Sequence, residues 1–149
     1  IEDPRWRMVL AVSPDREGAQ SRIWPVHLQR WGQGQGDLGA RMTRMLRRAP
    51  TGPACVIGAD IPGVTRVNVA EAFTALGNHD AVFGPALDGG YWLIGMKRVL
   101  PPPKTLFHRV RWSTPTTLAD TLATLPTPVA LIDTLQDVDT VDDLANNLE

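Results

Sequence analysis

The sequence predicts a single α/β domain, spanning residues 1–149, that is built on a largely parallel sheet. Short apolar runs of strand length alternate with segments whose apolar residues recur every three or four positions, which is the order of strand–helix–strand units. Acidic and glycine-rich segments come directly after several of these runs. Ligands of open α/β sheets bind beyond the carboxyl ends of the strands, so these segments are the first candidates for a site.

The composition argues against several functional classes. The chain has 15 basic and 16 acidic residues, a net charge of −1, so it lacks an electrostatic drive toward nucleic acid or anionic membranes. No apolar run approaches the roughly 20 residues of a membrane-spanning helix. The single cysteine, Cys55, permits no internal disulfide and suits a reducing compartment, so we expect a cytoplasmic protein. A homo-oligomer is compatible with the sequence.

The first third of the chain predicts a strand, a long loop and a helix. Residues 7–13 are an apolar run that ends at Pro14. Residues 14–36 are rich in glycine, proline, glutamine and serine, which predicts mostly loop, with room for a short strand at 23–28. Asp37 is a typical N-cap for a helix that continues to about Arg48.

The middle of the chain predicts three strands and one helix. The uninterrupted apolar run at 54–58 is typical of a strand covered on both faces. Thr65 then caps a helix that reaches Leu76. Strands at 81–85 and 91–96 flank a tight turn, and this region allows an antiparallel pairing.

The last third predicts a helix, a strand and a second helix. Thr114 and Pro115 have the order of a cap followed by a first-turn proline, which predicts a helix to about Leu125. Residues 129–132 are the last predicted strand, and Thr140 caps a final helix over 141–148.

Two glycine-containing segments are candidate ligand contacts. Glycines at 32, 34 and 36 let backbone N–H groups approach an anion, and the following helix start favours negative charge. Gln35, Gly36 and Asp37 are therefore candidate binding residues, although such a loop is also a common flexible helix entry. In the segment Asp88-Gly89-Gly90-Tyr91, the glycines would let a ring lie against the backbone while Asp88 accepts hydroxyl hydrogen bonds. A hairpin turn explains the same residues.

Acidic residues after two predicted strands are candidate metal ligands. Asp60 follows the strand at 54–58, and carboxylates there can hold Mg²⁺ or Mn²⁺ against a diphosphate. In an extended stretch Asp137 and Asp139 share one side, so they are a further candidate pair, although capping of the last helix explains them equally well. Trp112 and Ser113 are candidate ligand contacts.

Taken in order, the motifs resemble those of a bacterial family of nucleotide-diphospho-sugar transferases. The matching segments are Gln35-Gly36-Asp37-Leu38-Gly39 with Arg41-Met42, Ile57-Gly58-Ala59-Asp60-Ile61-Pro62, Gly84-Pro85-Ala86 with Asp88-Gly89-Gly90-Tyr91, Trp112-Ser113-Thr114 and Asp137-Val138-Asp139-Thr140. Glycosyltransferases of arsenosugar biosynthesis are relatives, as are molybdopterin-guanine and phospholactate nucleotidylyltransferases. The resemblance covers about residues 6–145.

The resemblance implies a three-layer, Rossmann-like GT-A fold, a divalent cation (Mg²⁺ or Mn²⁺) and a nucleotide-activated substrate. It places Asp60 at the metal or diphosphate, Asp88 to Tyr91 near the donor sugar or acceptor, and Asp139 as a second metal ligand. The family opens with a strand and a basic glycine-containing loop that embraces the nucleotide. Residues 5–13 correspond to a later strand, so we expect a sheet without that opening element.

Three functions follow from the sequence. The first is a metal-dependent glycosyltransferase that uses a nucleotide-sugar donor. The second is a nucleotidyltransferase of the same fold, which would use a nucleoside triphosphate, because both chemistries rely on similar acidic sites. The third is a degenerate nucleotide-binding or interaction protein without catalysis, which the missing opening strand would favour.

Overall fold

A computed structural model of the chain describes residues 1–126 and 128–136. The strands in this part are β1 (Val9–Val12), β2 (Gln29–Gly32), β3 (Ala54–Ile57), β4 (Ala81–Pro85), β5 (Tyr91–Met96) and β6 (Val129–Leu131). The helices are α1 (Asp15–Gln20), α2 (Leu38–Arg48), α3 (Arg66–Ala75) and α4 (Thr117–Leu122). None of these helices has the length and apolar character that a membrane crossing requires. The helix predicted at 141–148 lies outside the described residues.

The larger sheet has the strand order β3-β5-β4-β6. Strand β5 pairs antiparallel with both β3 and β4, whereas β4 and β6 pair in parallel. Strands β3, β4 and β6 therefore share one direction and β5 alone runs against them. The sheet is therefore mixed, with three of its four strands in one direction and two of its three pairings antiparallel. The antiparallel pairing predicted for residues 83–96 is confirmed.

A second, smaller sheet consists of β1 and β2, which pair in parallel. Over the described residues, no strand pairing joins it to the larger sheet. Side chains connect the two parts instead: Trp6 stacks on Phe73 of α3 at 5.9 Å, and the Arg48 guanidinium of α2 lies 4.7 Å from the ring centre of Trp31 in β2.

Hydrophobic side chains cover both faces of the larger sheet, which gives the three predicted layers. On one face, Met42 and Leu46 of α2 pack with Phe83 and Ile94, and side chains of α4 join them. The other face carries α3 and holds residues that include Trp92, Leu93, Ala72 and Leu76. Burial of these apolar faces is the main force that holds the helices on the sheet.

The predicted caps of α2 and α3 are confirmed. The Asp37 carboxylate accepts a hydrogen bond from the Ala40 N–H at 2.8 Å. Thr65 and Asn68 form a reciprocal capping box at the start of α3. Both caps satisfy amide groups that the helix itself leaves without partners, so the local sequence sets where each helix begins.

Two predictions for the first loop region were wrong. Helix α1 occupies residues predicted as loop, and its first turn carries Asp15 and Glu17, which favour a helix start. The strand suggested at 23–28 is instead β2, which begins at Gln29. Pro25 lacks an N–H for a strand ladder, and Ile23 and Val26 are exposed, so this stretch lacks a buried face.

The start of the third predicted helix was also wrong. Helix α4 begins at Thr117, with Thr116 as its N-cap residue, rather than at Thr114. The Thr114 hydroxyl donates to the Arg111 carbonyl at 3.0 Å and accepts from the Thr116 N–H at 3.4 Å. Thr114 therefore closes the turn that precedes α4.

Candidate functional site

Asp60 and Asp88 lie at the same edge of the larger sheet. Asp60 follows the carboxyl end of β3, and Asp88 is in the turn that joins the carboxyl end of β4 to β5. The Gly58 N–H, directly after β3, donates to the Trp92 carbonyl near the start of β5 at 2.9 Å, which ties the two ends together. Both aspartates are exposed. The fold thus brings two candidate residues 28 positions apart to one edge.

The Asp88 turn docks on the segment before α4. The Asp88 carboxylate accepts from the Gly90 N–H at 2.7 Å, and the Gly89 carbonyl accepts from the Leu118 N–H at 3.0 Å. Gly89 has a φ of +91°, and a Cβ there would lie 2.1 Å from the Pro115 carbonyl oxygen. Only glycine allows both this backbone conformation and this close approach.

Trp112 and Ser113 connect this turn to the start of α2. A Cβ on Gly39 would lie 2.7 Å from the Trp112 ring, so the helix start and the indole are in direct contact. The Trp112 ring also packs against Phe107, with ring centres 5.6 Å apart. Ser113 is exposed and has a φ of +56°, a costly conformation for a residue with a side chain. Segment 112–115 therefore contacts segment 37–39 on one side and segment 88–90 on the other.

An ion pair anchors this segment to α4. Arg111 donates from Nε and Nη2 to the Asp120 carboxylate, both at 2.9 Å, and its backbone N–H donates to the same group at 3.1 Å. These hydrogen bonds from Arg111 lower the pKa of Asp120 to about 2. The segment that carries Trp112 and Ser113 is therefore held at its base by a bidentate contact.

Acid is expected to weaken this anchor. A carboxylate whose pKa is lowered by folding stabilises the folded state above its unfolded pKa, near 4, and that contribution disappears as the pH falls toward 2. A carboxyl NMR titration of Asp120 should therefore show a midpoint near 2. In Arg111→Gln the midpoint should move back toward the ordinary aspartate range. An Asp120 midpoint in the ordinary range in the wild-type protein would contradict the ion pair.

The predicted binding residues of the glycine loop are all exposed. Gln35, Gly36 and Asp37 follow β2 and lead into α2, and one Asp37 oxygen is already occupied as the helix cap. The loop carbonyls face arginines of α2, among them Arg41, whose Nε donates to the Gly36 carbonyl at 3.0 Å. The structure thus places the Arg41 side chain against the loop.

Tyr91 is partly buried and packs against the core. Its ring meets Phe83 edge-on, with ring centres 5.0 Å apart, and its hydroxyl accepts a hydrogen bond from Thr121 of α4 at 3.4 Å. Burial raises the pKa of this hydroxyl to about 12. The Tyr91 side chain therefore packs on one face of β5, and Trp92 is buried on the other. Cys55 is partly buried against the core, and burial raises the pKa of its thiol to about 12.

The Asp60 carboxylate is exposed and accepts no hydrogen bond from the described residues. Over residues 1–126 and 128–136, no three His, Cys, Asp or Glu side chains form a group that could hold a metal. A cation here would need oxygen atoms from its substrate, which is how Mg²⁺ is usually bound in phosphate sites. Asp137 and Asp139 lie outside the described residues.

The sequence reasoning missed Ser13 and Asp15, which follow the carboxyl end of β1. The Asp15 carboxylate accepts from the Gly34 N–H at 2.9 Å, and Ser13 accepts from Arg41 at 3.4 Å. The signal that singled out Asp60, a carboxylate just after a strand, is also present at Asp15. The loop-like composition of residues 14–36 hides this signal in the sequence.

Comparison with known proteins identifies the family. Residues 1–114 match the family model described as "Uncharacterized protein conserved in bacteria (DUF2064)". The chain belongs to the DUF2064 family. Every candidate site residue except Asp137 and Asp139 falls within the matched range. No curated protein matches the chain.

A solved structure shares the fold of this DUF2064 chain. It is the crystal structure of a "putative nucleotide-diphospho-sugar transferase" from Desulfovibrio desulfuricans G20, with a TM-score of 0.71 and 29% sequence identity. The match covers 91% of this chain and 61% of the other, so this chain spans about three fifths of that protein's length. The GT-A-like α/β fold predicted from the sequence is thereby confirmed.

Proposed function

We propose that this DUF2064 chain is a metal-dependent glycosyltransferase that uses a nucleotide-sugar donor. The observation that carries the proposal is the meeting of exposed polar segments from distant parts of the chain at one edge of the sheet. In open α/β folds this is where ligands bind. The likeness to the Desulfovibrio protein, which is described as a putative nucleotide-diphospho-sugar transferase, supports the same class of donor.

Asp60 is proposed to hold the cation. Its carboxylate is exposed at the edge, and one carboxylate together with diphosphate oxygens suits Mg²⁺ or Mn²⁺. When bound, the cation would neutralise negative charge on the leaving diphosphate. Asp139 remains a proposed second ligand on the resemblance alone.

The remaining edge residues are proposed to bind and orient the substrates. Gln35, Gly36 and Asp37 would contact the donor through backbone and carboxylate groups. One Asp88 oxygen is already bonded to Gly90, so its other oxygen is the one available for a sugar or acceptor hydroxyl. Trp112 offers a partly exposed apolar ring and Ser113 an exposed hydroxyl beside it.

Nucleotide binding is expected to depend on a divalent cation. We expect UDP or GDP at saturating concentration to raise the melting temperature of the full protein by several degrees with Mn²⁺. A ligand at about one hundred times its dissociation constant stabilises by about 2.7 kcal/mol. The shift should shrink with EDTA. The absence of a cation-dependent shift with every common nucleoside diphosphate would contradict the proposal.

Product analysis separates the proposed reaction from its alternative. Glycosyl transfer, or the hydrolysis that often accompanies it, releases a nucleoside diphosphate from a nucleotide sugar. Nucleotidyl transfer from a nucleoside triphosphate instead releases pyrophosphate. Release of pyrophosphate alone would therefore replace our proposal with a nucleotidyltransferase, and binding without either product would indicate a non-catalytic nucleotide-binding protein.

A further inference from the structure

The glycine loop, residues 33–36, is held by side chains on two sides. On one side Arg44 of α2 donates from Nη1 to the Gln33 carbonyl and from Nη2 to the Gln35 carbonyl, the latter at 2.9 Å. One guanidinium group thus binds two carbonyl groups that are two residues apart. Charge-assisted hydrogen bonds from a planar fork fix geometry more tightly than neutral ones.

On the other side the loop is held by Asp15, at the start of α1. Its carboxylate accepts from the Gly34 N–H at 2.9 Å. A Cβ on Gly32 would lie 2.4 Å from the Asp15 carboxyl carbon, so the aspartate lies directly against the loop. Arg44 therefore binds carbonyl groups of the glycine loop, and Asp15 binds a backbone N–H group of the same loop.

Gly34 lies between these two side chains. Its φ is +73°, and a Cβ there would lie 2.6 Å from Nη1 of Arg44. The N–H groups of Gln33 and Gly34 are bonded to the Val12 carbonyl and to Asp15. Those of Gln35 and Gly36 have no acceptor among the described residues. The loop carbonyls of Gln33 and Gln35 therefore face Arg44 of α2. The backbone N–H groups of the exposed residues Gln35 and Gly36 are available to a ligand.

We propose that Arg44 and Asp15 are positioning residues that hold the glycine loop in the conformation that binds the substrate. The proposal rests on the proposed function, because the loop's ligand is taken to be the nucleotide-sugar donor. Neither side chain needs to touch that ligand. A free loop with glycines at 34 and 36 would lose conformational entropy when it binds a ligand. Arg44 and Asp15 order the loop beforehand, so less entropy is lost on binding.

The test compares two variants with matched controls. Arg44→Ala removes the fork, and Arg47→Ala is its control, an exposed arginine of the same helix with no hydrogen bond to the described residues. Asp15→Ala removes the acceptor, and Asp15→Asn is its control because the amide oxygen can still accept from Gly34. Two quantities are measured: amide hydrogen exchange at Gly34 without ligand, and the dissociation constants of UDP and GDP with Mn²⁺.

We expect faster exchange at Gly34 in Arg44→Ala and Asp15→Ala, and about tenfold weaker nucleotide binding, the size of one lost charge-assisted hydrogen bond. With substrate, KM should rise more than kcat falls. The two controls should stay near wild type, and ethylguanidinium should partly restore binding to Arg44→Ala.

Each result bears on a different claim. Unchanged exchange at Gly34 in both alanine variants would overturn the two-sided hold on the loop. Faster exchange with unchanged nucleotide affinity would overturn the positioning role. If the wild-type protein binds no common nucleoside diphosphate with Mn²⁺, the proposed function fails, while exchange at Gly34 still shows whether these side chains hold the loop.

Discussion

Gly89→Ala is expected to destabilise the protein by about 3 kcal/mol and to weaken nucleotide binding at least about tenfold. The new Cβ would lie 2.1 Å from the Pro115 carbonyl oxygen, and the φ of +91° is unfavourable for any residue with a side chain. To relieve both the clash and the backbone strain, the Asp88 turn must move away from segment 115–118. Chemical denaturation and a UDP titration with Mn²⁺ measure the two effects.

Gly63→Ala is the matched control for this change. A Cβ at Gly63 would have no heavy atom within 4 Å, and the residue does not have a positive φ. Its unfolding free energy and nucleotide affinity should therefore remain close to wild type. If Gly89→Ala proved as stable as Gly63→Ala, the docking of the Asp88 turn on segment 115–118 would be wrong.

Asp60→Asn is expected to abolish the cation-dependent part of nucleotide binding and to lower turnover at least about a hundredfold. An amide carries no charge and is a poor ligand for Mg²⁺ or Mn²⁺, so several kcal/mol of charge stabilisation would be lost. Thermal shifts with UDP or GDP, measured with Mn²⁺ and with EDTA, should become equal in the variant.

Asp80→Asn is the control for Asp60→Asn. Asp80 is also exposed, but it precedes β4 and so lies at the opposite edge of the sheet. It should leave the Mn²⁺-dependent shift intact. Wild-type metal dependence in Asp60→Asn would remove this residue from the cation site and would direct attention to the acidic residues after β6.

The sequence predicted best those features whose causes lie within a few residues. Asp37 and Thr65 were identified as caps because a cap bonds to an amide three residues ahead. Strands β4 and β5 have the predicted bounds because a tight glycine turn separates two apolar runs. The common edge of Asp60 and Asp88 was also predictable, since both follow strands of the same direction.

The sequence alone did not determine the burial of Tyr91 or the environment of the glycine loop. Strand β5 inserts between β3 and β4, and helices cover both of its faces, so the Tyr91 ring packs against Phe83. Helix α1 was missed because its six residues have too few turns to show a periodic apolar face.

What the sequence by itself determined was the family, the α/β class and the edge of the sheet where a ligand would bind. What only the tertiary structure decided was which contacts hold that edge together. Arg44 and Asp15 form hydrogen bonds to the glycine loop, Gly89 packs against Pro115, and Trp112 packs against Gly39. The physical reason is distance along the chain. Caps and turns depend on neighbouring residues, whereas these contacts join residues 9 to 73 positions apart and form only in the folded chain.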